Sequence, residues 1–192
     1  MQQTHVVAIA GSLRDHSFTR LALQYALDGA EAAGATTELI DLREFDLPPL
    51  NADYDEHGDS AAFVSKVDAA DAVLLGTPVY HGSYSGVLKN ALDYCGFDEF
   101  SQKTVGLLAV AGGSFPVTAL DHLRSVCRSL NAWVLPHQAA VPRASAAFEG
   151  TELVDDDLRK RIERLGHDVV QYANIEPEPS TFESDENVGA DD

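Results

Sequence analysis

Residues 6–34 read VVAIAGSLRDHSFTRLALQYALDGAEAAG, and their pattern changes character twice. Val6–Ala10 is an unbroken apolar run of strand length, as a parallel strand buried on both faces requires. From Ser17 to Gly34 the spacing becomes helical, with Phe18, Leu21, Ala22, Tyr25 and Ala26 on one face and Gly34 as the stop signal. Between strand and helix lies a polar loop that Gly11 opens.

The same alternation runs on to the end. Thr37–Leu42 reads as a second strand, and a loop with Pro48, Pro49, Asp53, Asp55 and Gly58 follows. Ser60–Ala70 is a helix with Phe63, Val67 and Ala70 inward, and Ala72–Gly76 is a third strand that Thr77-Pro78 ends. Ser85–Cys95 is helical, Thr104–Ala111 is the fourth strand, and Leu120, Leu123, Cys127 and Leu130 mark the next helix. Trp133–Leu135 begins a fifth strand, with continuation past Pro136 left open, and Leu158, Ile162, Leu165 and Val169 define a last helix. Strict alternation of this kind predicts an α/β fold, a doubly wound five-stranded parallel sheet with helices on both faces. Residues 1–173 form this domain. Residues 174–192, rich in acids and prolines, are expected to be a disordered tail.

Charge narrows the partners. Asp and Glu number 31 against 13 Lys and Arg, a formal charge of −18. Such a surface repels nucleic acid and anionic lipid, so neither is expected as a partner. The tail carries seven of the acids and no base, which leaves about −11 on the domain. An ordinary acidic protein and one adapted to a salty cytoplasm both fit, and the residual charge favours the second. The start of the chain lacks a basic segment followed by a long apolar stretch, and the apolar runs are too short to span a bilayer, so a cytoplasmic protein is expected. Cys95 and Cys127 each fall among apolar residues, which makes buried free thiols the default reading, with a bridge left open.

In a doubly wound sheet, ligands bind beyond the carboxyl ends of the strands where strand order reverses. The loops after strands one, three and four are the unusual ones. In the first, Gly11 to Arg20, Ser17 stands at the helix N-cap, where free N–H groups and the helix dipole favour an anion. Ser12, Ser17 and Thr19 add hydroxyls and Arg14 a charged donor, a combination suited to a phosphate monoester. A merely capped helix with a surface arginine is the plainer alternative. Neither GxxxxGK[ST] nor GxGxxG occurs, so a triphosphate loop and a dinucleotide fingerprint are both absent. In the second loop, Pro78 stiffens the exit, Gly82 and Gly86 admit close backbone approach, and Tyr80 and Tyr84 offer flat area for an aromatic heterocycle. Ordinary half-buried packing is the plainer alternative for the two tyrosines; the third loop, Gly112-Gly113-Ser114, suits exposed amides at a ring edge or a plain strand-to-helix turn.

Gly11-Ser12-Leu13-Arg14 with Ser17, the run from Thr77-Pro78-Val79-Tyr80 to Gly86-Val87-Leu88-Lys89-Asn90-Ala91-Leu92-Asp93, and Gly112-Gly113 together resemble the NAD(P)H-dependent FMN reductase family, flavodoxin-like in fold. The resemblance extends from residue 5 to about 172 in order and spacing. It implies that Ser12, Arg14, Ser17 and Thr19 hold the FMN phosphate. It implies that Pro78, Val79, Tyr80, His81 and Gly82 line the isoalloxazine and ribityl chain, with Gly112 and Gly113 at the ring edge. NADPH or NADH would then be the co-substrate, a small molecule such as a free flavin or quinone the acceptor, and a homodimer or homotetramer would form through Ser85–Cys95 and Pro116–Leu130. Hydride transfer needs stacked rings rather than a dedicated acid and base, so no catalytic side chain and no metal are expected. A flavodoxin-type electron carrier is the competing reading, since an acidic face suits basic protein partners.

Overall fold

The computed structural model describes residues 3–54, 58–173 and 175. The expected tail lies outside these apart from Ile175, as does Asp55 in the loop after the second strand. The chain runs β1 (His5–Ala10), α1 (Phe18–Ala32), β2 (Thr36–Asp41), a 3-10 turn (Leu42–Glu44), α2 (Ser60–Asp68), β3 (Ala72–Pro78) and α3 (Gly86–Asp93). It continues through α4 (Phe97–Phe100), β4 (Thr104–Val110), α5 (Val117–Ser129), β5 (Trp133–Val134), β6 (Ala139–Val141), α6 (Ala144–Ala147), a hairpin of β7 (Phe148–Glu149) with β8 (Glu152–Leu153), and α7 (Asp156–Gln171).

The main sheet is parallel, in the order β2-β1-β3-β4-β5, with β6 also on β4. Strand order therefore reverses at β1, between β2 and β3, which opens a crevice at the carboxyl ends of β1 and β3. Every residue of β3 and β4 is buried, because helices cover both faces. On one face α1 and α7 pack against Val6, Ala8, Leu74 and Leu108; on the other α2, α3 and α5 pack against Val7, Ile9, Leu75 and Leu107.

Four details depart from the sequence reading. First, β3 runs on through Pro78 instead of ending at Gly76. Gly76 O faces β1 and accepts from Gly11 N, whereas Val79 N faces β4 and donates to Val110 O. By that alternation the N–H that Pro78 lacks would point toward β1, beyond its last residue, so no ladder bond is lost. Second, the fifth strand is two segments. Val134 pairs with Val105 and Ala139 with Leu108, so more chain intervenes on this strand than on β4, and it bulges around Pro136. Arg124 braces the bulge, donating to Leu135 O (2.7 Å) and Gln138 Oε1 (2.9 Å).

Third, the buried face of α1 is wider than expected. Ala22 and Ala26 are buried as predicted, together with Leu23, Leu27 and Ala30, while Phe18, Leu21 and Tyr25 sit half-buried at the flank. The reason is α7, which covers a second side of α1 at backbone contact. A Cβ on Gly166 would stand 1.6 Å from Ala26 O, and one on Gly29 would stand 2.0 Å from Glu163 O. Fourth, the short α4, α6 and the β7–β8 hairpin were not anticipated; Phe148 of the hairpin stacks on Phe18 at 5.0 Å. Cys95 and Cys127 are free and buried, and burial pushes both thiols up to about 12, so neither is a ready thiolate.

Candidate functional site

Three loops meet at the carboxyl edge, and hydrogen bonds fasten each to the next. Gly11 N donates to Gly76 O (2.8 Å), and Ser85 Oγ donates to Gly11 O (2.6 Å), which joins the loop after β1 to the end of β3 and the start of α3. Ser85 also N-caps α3, accepting from Leu88 N, while its own N–H donates to Thr77 Oγ1. Val79 N donates to Val110 O, joining the start of the loop after β3 to the end of β4, from which the third loop departs. Gly11 serves here through its missing side chain: a Cβ would lie 2.8 Å from Leu88 Cβ and 3.0 Å from Ser85 Oγ. It does not adopt a positive φ, so close approach, not a tight turn, is what requires glycine.

The first loop leaves most of its polar groups without a partner among the described residues. Ser17 N-caps α1, accepting from Arg20 N at 3.2 Å, as the sequence predicts. No backbone N–H from Ser12 to Thr19 donates to another described residue. Ser12 and Thr19 are buried, at 3% and 2% exposure, yet their hydroxyls make no hydrogen bond among the described residues. Arg14 is exposed, and its guanidinium is likewise unengaged among the described residues. Row, hydroxyls and cation together fit a phosphate monoester.

What orders this row is Arg20, which sequence reasoning passed over. Its guanidinium donates to three carbonyls, those of Ser12 (3.1 Å), Arg14 (2.6 Å) and Asp15 (2.7 Å). In a trans peptide the C=O and the following N–H point in opposite directions. Gathering those carbonyls on the Arg20 side therefore turns the N–H groups of Leu13, Asp15 and His16 outward. Arg20 is itself anchored on Asp41 (Nε–Oδ2 3.4 Å), at the end of β2 beside Ala10. Arg43 completes the array, bonding Asp41 at 2.6 Å and Asp15 at 3.1 Å. Burial by itself raises the Asp41 carboxyl, but hydrogen bonds from Arg43 and the charges of Arg20 and Arg43 bring it below its ordinary value. No sequence signal marks Arg20, because its role depends on where the loop carbonyls fall.

The second loop turns on His81 and Gly82. Both have positive φ, 50° and 78°, and the flanking Tyr80 and Ser83 exchange backbone hydrogen bonds of 3.0 and 3.1 Å. A two-residue turn with both central residues left-handed is the tight type I′ form. It leaves His81 exposed and Tyr80 half in solvent, at 50% exposure. Tyr84 differs from Tyr80, packing against the α3–α5 core as an ordinary half-buried residue. Ser83 Oγ bonds the His122 ring at 2.9 Å and so ties the turn to α5. In the third loop Gly112 and Gly113 are exposed, nothing stands within 4 Å of either Cβ position, and their N–H groups donate to no described residue.

Two grooves flank the cluster. One, about 620 Å³, lies between Leu13 of the first loop, Arg43 and Phe45, and Gly86 at the start of α3. The other, about 730 Å³, begins at Ser114 and runs between Arg143 and α7. A third cavity of about 330 Å³, lined by Thr104, Trp133 and Tyr172, lies at the amino-terminal edge of the sheet, where this architecture does not place ligands.

Sheet order and loop placement define the class, a flavodoxin-like α/β domain. Residues 4–146 match the family of NADPH-dependent FMN reductases. Among related sequences, an FMN-dependent NADPH-azoreductase from Staphylococcus haemolyticus (strain JCSC1435) is 35% identical over 178 residues, 88% of this chain and 95% of that protein. Its counterpart from Staphylococcus aureus (strain USA300) is 34% identical over the same shares. Among solved structures, an NADH:FMN oxidoreductase (EMOB) in its apo form superposes with a TM-score of 0.73 at 26% identity, covering 91% of this chain and 92% of that one. FerB of Paracoccus denitrificans, an NAD(P)H:(acceptor) oxidoreductase, gives 0.73 at 22% identity over 88% and 96%, a likeness of fold. The chain belongs to the NADPH-dependent FMN reductase family. Membership bears out the reading of an oxidoreductase that uses FMN and NAD(P)H, and the flavodoxin-like fold expected with it. Among the described residues no helix is long and apolar enough to cross a membrane.

Proposed function

We propose that this chain seats the FMN phosphate in the Ser12–Thr19 loop, accepts hydride from NAD(P)H and passes it to a second small molecule. The observation that carries the reading is the run of undonated N–H groups from Ser12 to Thr19, held outward by Arg20. Ser12, Arg14, Ser17 and Thr19 bind the phosphate. Pro78, Val79, Tyr80, His81 and Gly82 would position the ring and ribityl chain and keep water off one side of them, and the amides of Gly112 and Gly113 would be the donors available at the ring edge. Bound FMN would supply the hydride chemistry, and the protein supplies position and donors. The acceptor is a free flavin, a quinone or a similar compound, and the azoreductase relatives support an azo compound in the same class. The protein works in the cytoplasm as a homodimer or homotetramer joined through α3 and α5. The exposed Leu13, Tyr80, Phe115 and Val117 support a partner copy near the site.

A fluorescence titration tests the phosphate loop. FMN should bind far more tightly than riboflavin, and Arg14→Ala should weaken FMN by about 1.5–3 kcal/mol, the worth of a charge-assisted hydrogen bond. Equal affinity for riboflavin would remove the reading. Anaerobic NADPH or NADH should bleach the bound flavin; failure with both would favour a flavodoxin-type carrier.

A further inference from the structure

We propose that the groove beginning at Ser114 is the site of the ribose 2′-phosphate of NADPH, with Arg143 and Arg161 as the pair that recognises it. The proposal rests on the flavin placement above, and concerns which nicotinamide the enzyme takes. Arg143 is held in left-handed backbone, φ 47°, a conformation that side chains with a Cβ rarely adopt. Such strain persists where the surroundings enforce it and concentrates at ligand sites. Here the surroundings are the flavin-edge loop: Arg143 N donates to Gly113 O (2.9 Å), Arg143 Nε donates to Ser114 Oγ (3.3 Å), and Ala144 N donates to Ala111 O (2.9 Å). The two terminal nitrogens of its guanidinium have no partner among the described residues.

Arg161, on α7, lines the same groove and is exposed. Its carbonyl accepts from the His137 ring, but its guanidinium is unengaged among the described residues. Two guanidiniums with open terminal nitrogens on one groove are notable in a chain of formal charge −18, which otherwise repels a polyanionic nucleotide. The two acids that line the groove, Asp155 and Asp157, pair with neither of them. Asp155 is occupied capping α7, accepting from Asp157 N and Leu158 N at 3.0 Å each, and Asp157 lies 3.9 Å from Lys160. Pro116, Pro142 and Leu158 give the groove an apolar wall on which a purine can rest. A phosphate monoester offers geometry that two arginine forks can grip, and NADH has none at this position.

Calorimetry on the FMN-loaded protein, and on the apoprotein, compares adenosine 2′,5′-bisphosphate with adenosine 5′-monophosphate. The wild type should prefer the bisphosphate at least tenfold. Arg161→Gln should remove most of that preference, as should Arg143→Gly, which also relieves the backbone strain and so protects folding. In turnover the same variants should raise KM for NADPH at least tenfold, leaving kcat, KM for NADH and FMN affinity unchanged. Equal binding of both probes by the wild type would overturn the proposal, as would full preference in the Arg143→Gly, Arg161→Gln double variant. Parallel losses for NADPH and NADH would place the arginines on the shared pyrophosphate and overturn the 2′-phosphate assignment. Failure of FMN to bind the wild type at all would instead remove the flavin reading, which the apoprotein titrations keep separate.

Discussion

Replacing Arg20 by Met keeps the aliphatic stem and deletes the three carbonyl contacts that turn the N–H groups of the proposed phosphate loop outward. Residues Leu13 to His16 are exposed, so little else restrains them. Fixing one residue's backbone costs roughly 1–2 kcal/mol. If the Arg14 and Asp15 units come loose, FMN must re-order both, and binding should weaken by about 2–4 kcal/mol, roughly thirty-fold to a thousand-fold. Riboflavin, which brings no phosphate, should lose much less. Flavin fluorescence titration measures both, with circular dichroism confirming the fold. Acid unfolding offers a second reading. Asp41 has a carboxyl lowered in the fold, so its contribution to stability is present above its unfolded value near pH 4 and is lost as pH falls through the folded one. Without Arg20 one lowering influence is gone and burial weighs more, so the acid midpoint should move to higher pH. An FMN affinity within threefold of wild type, in a folded Arg20→Met protein, would refute the reasoning.

Gly166→Ala should lower the melting temperature despite a gain in helix propensity of about 1 kcal/mol, because a Cβ placed 1.6 Å from Ala26 O forces α7 off α1. An unchanged or raised melting temperature would show that the two helices separate at little cost. Added KCl from 0.1 to 3 M should raise the melting temperature as the Debye length falls from about 10 Å at 0.1 M to about 3 Å at 1 M, relieving self-repulsion among acids that leave about −11 outside residues 174–192. A flat or falling curve would remove the saline reading.

The sheet was legible because parallel strands buried on both faces have no polar residues to disguise them, and Val6–Ala10 and Ala72–Gly76 announce themselves. Ser17 was legible for a local reason, since an N-cap acts on residues within one turn. Arg20 was not, because its partners are carbonyls whose directions exist only after folding. Ser85 was half legible: its capping role is local, but its bond to Gly11 O spans 74 residues. The start of the fifth strand at Trp133 was legible, while its interruption and the brace from Arg124 that stabilises it were not, since both depend on long-range pairing. Nothing in the local sequence marks Gly29 and Gly166, and only packing reveals them as the contact between α1 and α7.

That contact bears on the order in which the protein can become competent. Chains emerge from the ribosome amino end first, so β1, the phosphate loop and α1 are among the earliest residues made. The helix that seats α1, backbone against backbone, is the last element of the described fold. Until α7 arrives, the flank of α1 that carries Ala26 and Gly29 has no backbone packed against it. On the proposed flavin placement, a nascent chain halted before Asp156 holds Ser12, Arg14, Ser17 and Thr19 without the helix that seats α1.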